Sequence, residues 1–67
     1  MMDINRLKGK LVEKGMNVET LAELIGSERS SLYRKFKNAE KITIGEAKKM
    51  QEVLEIPVEE ASAIFFG

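Results

Sequence analysis

The sequence predicts an all-α protein, a compact bundle of five short helices in one domain over residues 1–67. Apolar residues recur at helical spacing in the candidate segments. A chain of 67 residues forms one domain at most and buries only about 60% of the surface that it exposes when unfolded. It has no cysteine, so no disulfide can support so small a core. Short packed helices are the economical solution.

The first helix is predicted over residues 4–14. Asp3 is suited to cap its N-terminus, and Gly15 is suited to end it. We expect one apolar stripe to face the core, formed by Ile4, Leu7, Leu11 and Val12.

The second helix is predicted over residues 18–25. Asn17 is its expected N-cap, and Glu19 lies favourably in its first turn. Gly26 ends the helix, because glycine adopts the left-handed conformation most easily. The inward face is expected to contain Val18, Leu21, Ala22 and Ile25.

The third helix is predicted over residues 28–37, capped by Ser27 or Glu28. If Leu32 points to the core, Phe36 lies within about 40° of it at 100° per residue. The residues that remain on or beside the outward face are Arg29, Ser30, Tyr33, Arg34 and Lys37.

Two helices are predicted after the polar loop at residues 38–42. Thr43 and Glu46 have the spacing of a capping box, which predicts a helix over residues 44–55. Its expected stripe is Ile44, Ala47, Met50 and Leu54. Pro57 then breaks the chain before a last short helix.

The last helix is predicted over residues 58–64, and it closes on Phe65 and Phe66. Two interpretations of this aromatic pair stay open. One or both rings complete the small core, or an exposed ring forms a symmetric contact in a homodimer.

Charge is unevenly distributed along a chain whose net charge is zero. Residues 1–26 contain four basic and four acidic side chains, and residues 27–41 contain five basic and two acidic ones, a local +3. Residues 42–67 contain two basic and five acidic ones, a local −3. The positive excess therefore falls on the third helix and the loop after it, as in an electrostatic footprint for nucleic acid.

The outward side chains of the third helix have the chemistry to contact double-stranded DNA. Arg29 and Arg34 can each donate two hydrogen bonds to guanine O6 and N7. Ser30 is suited to a base or a phosphate, and Tyr33 to a thymine methyl or a phosphate. The expected phosphate contacts are Lys35, Lys37, Lys41 and the helix N-terminus at Asn17.

A structural alternative exists for three of these residues. Asn17 can be only a helix cap, and Tyr33 can be a partly buried packing residue. Lys35 can be an ordinary solvated lysine, since its angle lies close to the buried side.

The segment LAELIGSERSSLYRKF resembles the helix-turn-helix of phage repressor and Cro-type (XRE-like) regulators. The spacing of Ala22, Gly26 and Leu32 matches that motif. Residues 42–66 are similar to the C-terminal part of short regulatory proteins from phages and prophages of Gram-positive bacteria. The resemblance implies a lambda-repressor-like fold with its helix-turn-helix over residues 18–37, operator binding as a dimer on a near-palindromic site, and transcriptional control. It places base recognition on Arg29, Ser30 and Arg34, with Tyr33 alongside.

Two positions depart from the family pattern. Ser27 stands where an apolar residue usually follows the turn glycine, so the turn is less well anchored. Val18 stands where a glutamine often reaches a phosphate, which leaves only the backbone to make that contact.

Other functions fit the sequence less well. The chain has neither histidine nor cysteine, and it shows no phosphate-binding glycine loop and no metal-ligand cluster, so we expect neither an enzyme nor a cofactor. Its first ten residues lack the apolar run of a signal peptide or membrane span, which predicts a cytoplasmic protein. The main alternative is a protein-interaction module, an antirepressor or co-regulator with Phe65 and Phe66 as its contact patch.

Overall fold

Five α-helices follow one another along residues 2–67, the part of the chain that the computed structural model describes. In chain order the elements are α1 (Ile4–Glu13), α2 (Val18–Ile25), α3 (Arg29–Lys37), a short 3-10 turn (Ala39–Lys41), α4 (Ile44–Val53) and α5 (Val58–Phe66). No strand occurs among these residues. The predicted all-α class with five helices is therefore confirmed.

Side chains cap three of the helices at the predicted positions. Asp3 and Asn17 each accept a hydrogen bond from the backbone N–H three residues on, at 3.1 Å and 2.8 Å. Thr43 and Glu46 form the full capping box, with reciprocal bonds of 3.1 Å and 2.9 Å. Each such cap stabilises its helix by about 1 kcal/mol and so fixes where the helix begins.

The connection between α2 and α3 is a tight turn at Gly26. Its φ of 73° is left-handed, a conformation that costs a residue with a Cβ atom about 1 kcal/mol. The N–H of Ser27 then donates to the carbonyl of Ala22 at 2.8 Å, which satisfies a carbonyl at the end of α2. The turn predicted at this glycine is confirmed.

Helix α4 ends two residues earlier than the sequence predicts. Glu55 has a φ of 53°, in the left-handed region, so the helix cannot continue through it. The N–H of Ile56 instead donates to the carbonyl of Gln51 at 3.0 Å and turns the chain towards α5.

The core lies where the helices converge, with α2 packed against both α3 and α4 and with α1 packed against α5. Every helix contributes a buried side chain. The six largest fully buried ones are Leu7, Leu21, Leu32, Met50, Leu54 and Ile64. Within residues 2–67 no polar or charged residue is buried.

Two residues predicted to face the core do not. Val12 is 78% exposed, because it lies 100° around α1 from the buried Leu11. Ile44 is 73% exposed, because it occupies the first position of α4 and lines an open groove there. The predicted inward positions of these two side chains were wrong.

Ion pairs join helices that are distant in sequence. Lys10 of α1 lies 2.7 Å from the carboxylate of Glu60 on α5, and Arg6 lies 3.8 Å from the same group. The hydrogen bond with Glu60, followed by that with Glu13, raises the pKa of Lys10 above its ordinary value.

None of the helices formed by residues 2–67 has the length and apolar character needed to cross a bilayer.

Candidate nucleic-acid interface

Helix α3 has one buried face and one exposed face, as its sequence predicts. Leu32 is fully buried and Phe36 is 4% exposed, and both belong to the core. The opposite side carries the exposed side chains of Ser30, Arg34 and Lys37, while Arg29 is exposed in the first turn, about 60° around the axis from Leu32. The structure therefore brings Ser30, Arg34 and Lys37 together on one surface of nine-residue α3, with Arg29 at its N-terminal end.

Tyr33 lies at the edge of this surface and is bound to the neighbouring helix. Its ring is 45% exposed, and its hydroxyl donates a hydrogen bond to the carboxylate of Glu19 in the first turn of α2. This bond is the largest cause that raises the pKa of Tyr33 above its ordinary value. The hydroxyl that was predicted to contact a phosphate or a base therefore already donates its hydrogen bond within the protein.

Lys35 points away from the exposed face of α3 and towards α4. Its ammonium lies 2.6 Å from a carboxylate oxygen of Glu46, and both side chains are mostly covered. Burial acts to raise the pKa of Glu46, but hydrogen bonds from Lys35 and from the backbone of Thr43 outweigh it and hold that pKa below its ordinary value. Lys35 is therefore not an ordinary solvated lysine.

An open cationic pocket of about 370 Å³ lies at the C-terminal end of α3. It brings together three predicted DNA contacts, Arg34, Lys35 and Lys41, with Ser31 and Asn38. Sequence reasoning missed the last two. The signal was available, because four of these residues follow the helical spacing i, i+3, i+4 and i+7 from Ser31.

Asn17 acts as the N-cap of α2 through its side chain. The amide oxygen accepts from the backbone N–H of Thr20 at 2.8 Å and from the hydroxyl of Thr20 at 2.9 Å. The side chain and the Thr20 N–H are thus engaged in the cap, and the backbone N–H groups of Val18 and Glu19 remain the candidate phosphate donors. Glu19 places a carboxylate in the same turn.

The two C-terminal phenylalanines have different environments. Phe65 is 6% exposed and belongs to the core, so it is not available as a contact residue. Phe66 is 66% exposed and lines a groove of about 340 Å³ with Ile44 and Val58. Phe65 is therefore a core residue, and Phe66 is a surface residue.

Residues 2–67 contain no cluster of three or more side chains that could hold a metal ion. Comparison of the chain with protein-family models, with curated proteins and with solved structures finds no match.

Proposed function

We propose that this protein is a sequence-specific DNA-binding transcriptional regulator, a repressor or Cro-like protein, in which α2 and α3 act as a helix-turn-helix. The observation that carries the proposal is that α3 has one face buried in the core and one face exposed to solvent. Leu32 and Phe36 anchor the helix in the core, while Arg29 and Arg34 leave it towards solvent. A helix about 10–12 Å in diameter fits a major groove about 12 Å wide.

The exposed side chains of α3 divide between bases and phosphates. Arg29 lies in the first turn and Arg34 five residues, or about 1.4 turns, further on, and each guanidinium has two donors for guanine O6 and N7. Ser30, next to Arg29, is short enough for a base edge or a phosphate. Lys37 and Lys41 supply positive charge at the far end for the DNA backbone.

The backbone N–H groups at the start of α2 give a further phosphate contact next to Asn17. Lys35 contributes less, because Glu46 already balances its charge. The first turn of α2 and the end of α3 together fix the position of the protein on the duplex, while the arginines supply sequence preference.

We assign a second copy of this chain to the exposed side of α5, which gives a homodimer on a near-palindromic operator. Val58, Ser62 and Phe66 follow one another at intervals of four residues, and all three are exposed. Because this spacing is symmetric about Ser62, a two-fold axis there packs Phe66 of one protomer against Val58 of the other. The small Ser62 lets the two helices approach.

Selection of bound sites from a random duplex library tests the proposal, followed by affinity measurements on Arg34→Ala. We expect an enriched sequence, and we expect Arg34→Ala to weaken binding by about 1–3 kcal/mol and to relax the preference at one base pair per half-site. Arg6→Ala is the matched control, because it removes an exposed guanidinium from α1. Full-strength specific binding by Arg34→Ala would show that another face meets the DNA.

The exposure of Phe66 beside Ile44 also favours a second candidate function, a protein-interaction module that acts as an antirepressor or co-regulator. The two functions differ in what Phe66→Ser changes. A regulator that dimerises through α5 loses its two-fold operator preference. An interaction module selects no DNA at all and loses only its protein partner.

A further inference from the structure

The hydrogen bond between α2 and α3 fixes the chemistry that Tyr33 can offer to a ligand. The bond runs from the phenolic O–H of Tyr33 to a carboxylate oxygen of Glu19, so Tyr33 is the donor. A phenol has a single proton, and here it points at the carboxylate. What remains towards solvent is the phenolic oxygen, which can only accept a hydrogen bond.

Glu19 adds further hydrogen-bond acceptors beside the phenolic oxygen. Its carboxylate oxygens also only accept, and the pair lies beside a surface whose other long side chains are donors, Arg29, Arg34 and Lys37. The side chains of Glu19 and Tyr33 have no free donor for a phosphate, so a phosphate contact in the first turn of α2 comes only from its backbone N–H groups. The pair therefore has the wrong chemistry for the DNA backbone.

In the major groove, acceptors on the protein match amino groups on the bases. Adenine N6 and cytosine N4 are donors there, whereas guanine O6 and thymine O4 are acceptors. We propose, on the basis of the DNA-binding function above, that Tyr33 and Glu19 together recognise an exocyclic amino group, so that the operator has adenine or cytosine at the base they meet. Tyr33 lies four residues, about 6 Å along the helix axis, beyond Arg29, which places this base one or two base pairs from the guanine that Arg29 contacts.

Two variants separate this role from a purely structural one. Tyr33→Phe keeps the ring and removes the acceptor oxygen. Glu19→Gln keeps the shape and removes the charge, and it adds an amide that can donate. Both side chains contact each other at the surface, so we expect both variants to keep the helix content of the wild type.

The experiment is site selection from a random duplex library with each protein, read out position by position. For the wild type we expect adenine or cytosine to be favoured at one half-site position by about 5- to 150-fold, the discrimination of one good base contact. Tyr33→Phe lowers that preference below about threefold and leaves the other positions unchanged. Glu19→Gln admits guanine and thymine at the same position. Glu23→Gln is the matched control, since it removes an exposed charge elsewhere on α2.

The outcomes separate this inference from the proposed function. If the wild type selects no sequence, the DNA-binding function itself fails. If it selects an operator but both variants leave every position unchanged, or if guanine or thymine is the favoured base there, only the role of Tyr33 and Glu19 is overturned. Should Tyr33→Phe fail to fold, Glu19→Gln alone decides the question.

Discussion

Two lysines of α3 differ in role because they leave the helix at different angles. Lys35 and Lys37 are two positions apart and so point about 200° apart around the axis. Lys35 is half-buried and paired with Glu46 at 2.6 Å, whereas Lys37 is exposed. The same side chain therefore stabilises the fold at one position and is available to a ligand at the other.

This difference predicts opposite phenotypes for two alanine variants. Lys37→Ala should weaken binding to all duplexes alike and make the salt slope shallower by about 1 per protomer, without changing unfolding. Lys35→Ala should instead lower the free energy of unfolding by about 1 kcal/mol and leave the selected sequence unchanged. Duplex titrations at several salt concentrations and urea unfolding measure both effects. A loss by Lys37→Ala that is confined to one sequence would contradict its phosphate role.

At the scale of the helices, Glu46 connects the start of α4 to the middle of α3. One carboxylate oxygen accepts from the backbone N–H of Thr43 at 2.9 Å, and the other accepts from Lys35 at 2.6 Å. The orientation of α3 relative to α4 thus depends in part on a residue that does not touch the proposed DNA surface.

Glu46→Gln should lower the free energy of unfolding by about 1 kcal/mol at pH 7, since it loses the charged bond to Lys35 but keeps an acceptor for Thr43. Because the pKa of Glu46 lies below its ordinary value in the folded protein, its contribution is present above that ordinary value and is lost as the pH falls through the folded value. Urea unfolding of the two proteins between pH 7 and pH 3 measures this. The difference in unfolding free energy between the wild type and Glu46→Gln should become smaller as the pH falls. Glu52→Gln, which changes an exposed residue of α4, is the control and should show no such pH dependence. A difference that stays constant down to pH 3 would exclude the ion pair as its source.

Features that depend on a few neighbouring residues could be predicted from the sequence, whereas contacts between helices could not. The caps at Asp3, Asn17 and Thr43 and the turn at Gly26 are local signals within four residues, and these expectations were confirmed. The predicted cap of α3 was wrong in part, because α3 begins after Glu28 without a side-chain hydrogen bond. Val12 was assigned to the stripe because it is apolar, although its angle of 100° from Leu11 takes it off the buried face. The bond from Tyr33 to Glu19 joins residues 14 positions apart. It depends on how α2 packs against α3, so no pattern along the chain indicates it.

For the molecule as a whole, charge is separated although its sum is zero. Residues 27–41 have five basic and two acidic side chains, while residues 42–67 have two and five. The molecule measures 28 × 24 × 19 Å, and salt screens exposed charges beyond about 8 Å at physiological ionic strength. A duplex that meets the face of α3 therefore experiences mainly the local positive charge.

The size of the molecule also bears on how two copies would sit on an operator. Half-sites one turn apart are separated by about 34 Å, slightly more than the 28 Å length of one protomer. One protomer therefore has the length to cover one half-site. A dimer that neutralises about six phosphates predicts a log–log salt slope near −5.

Phe66→Ser tests this arrangement. Because Phe66 is 66% exposed, its loss should leave helix content and unfolding nearly unchanged, while the protein becomes monomeric, the salt slope falls to about half, and the preference for two spaced half-sites disappears. Sedimentation measures the mass, and titrations of one- and two-half-site duplexes measure the slope. Phe65→Ser is the matched control: since Phe65 is buried, that change should cost about 3–5 kcal/mol and unfold a domain this small. A Phe66→Ser protein that still dimerises and still requires paired half-sites would place the two-fold contact elsewhere on the surface.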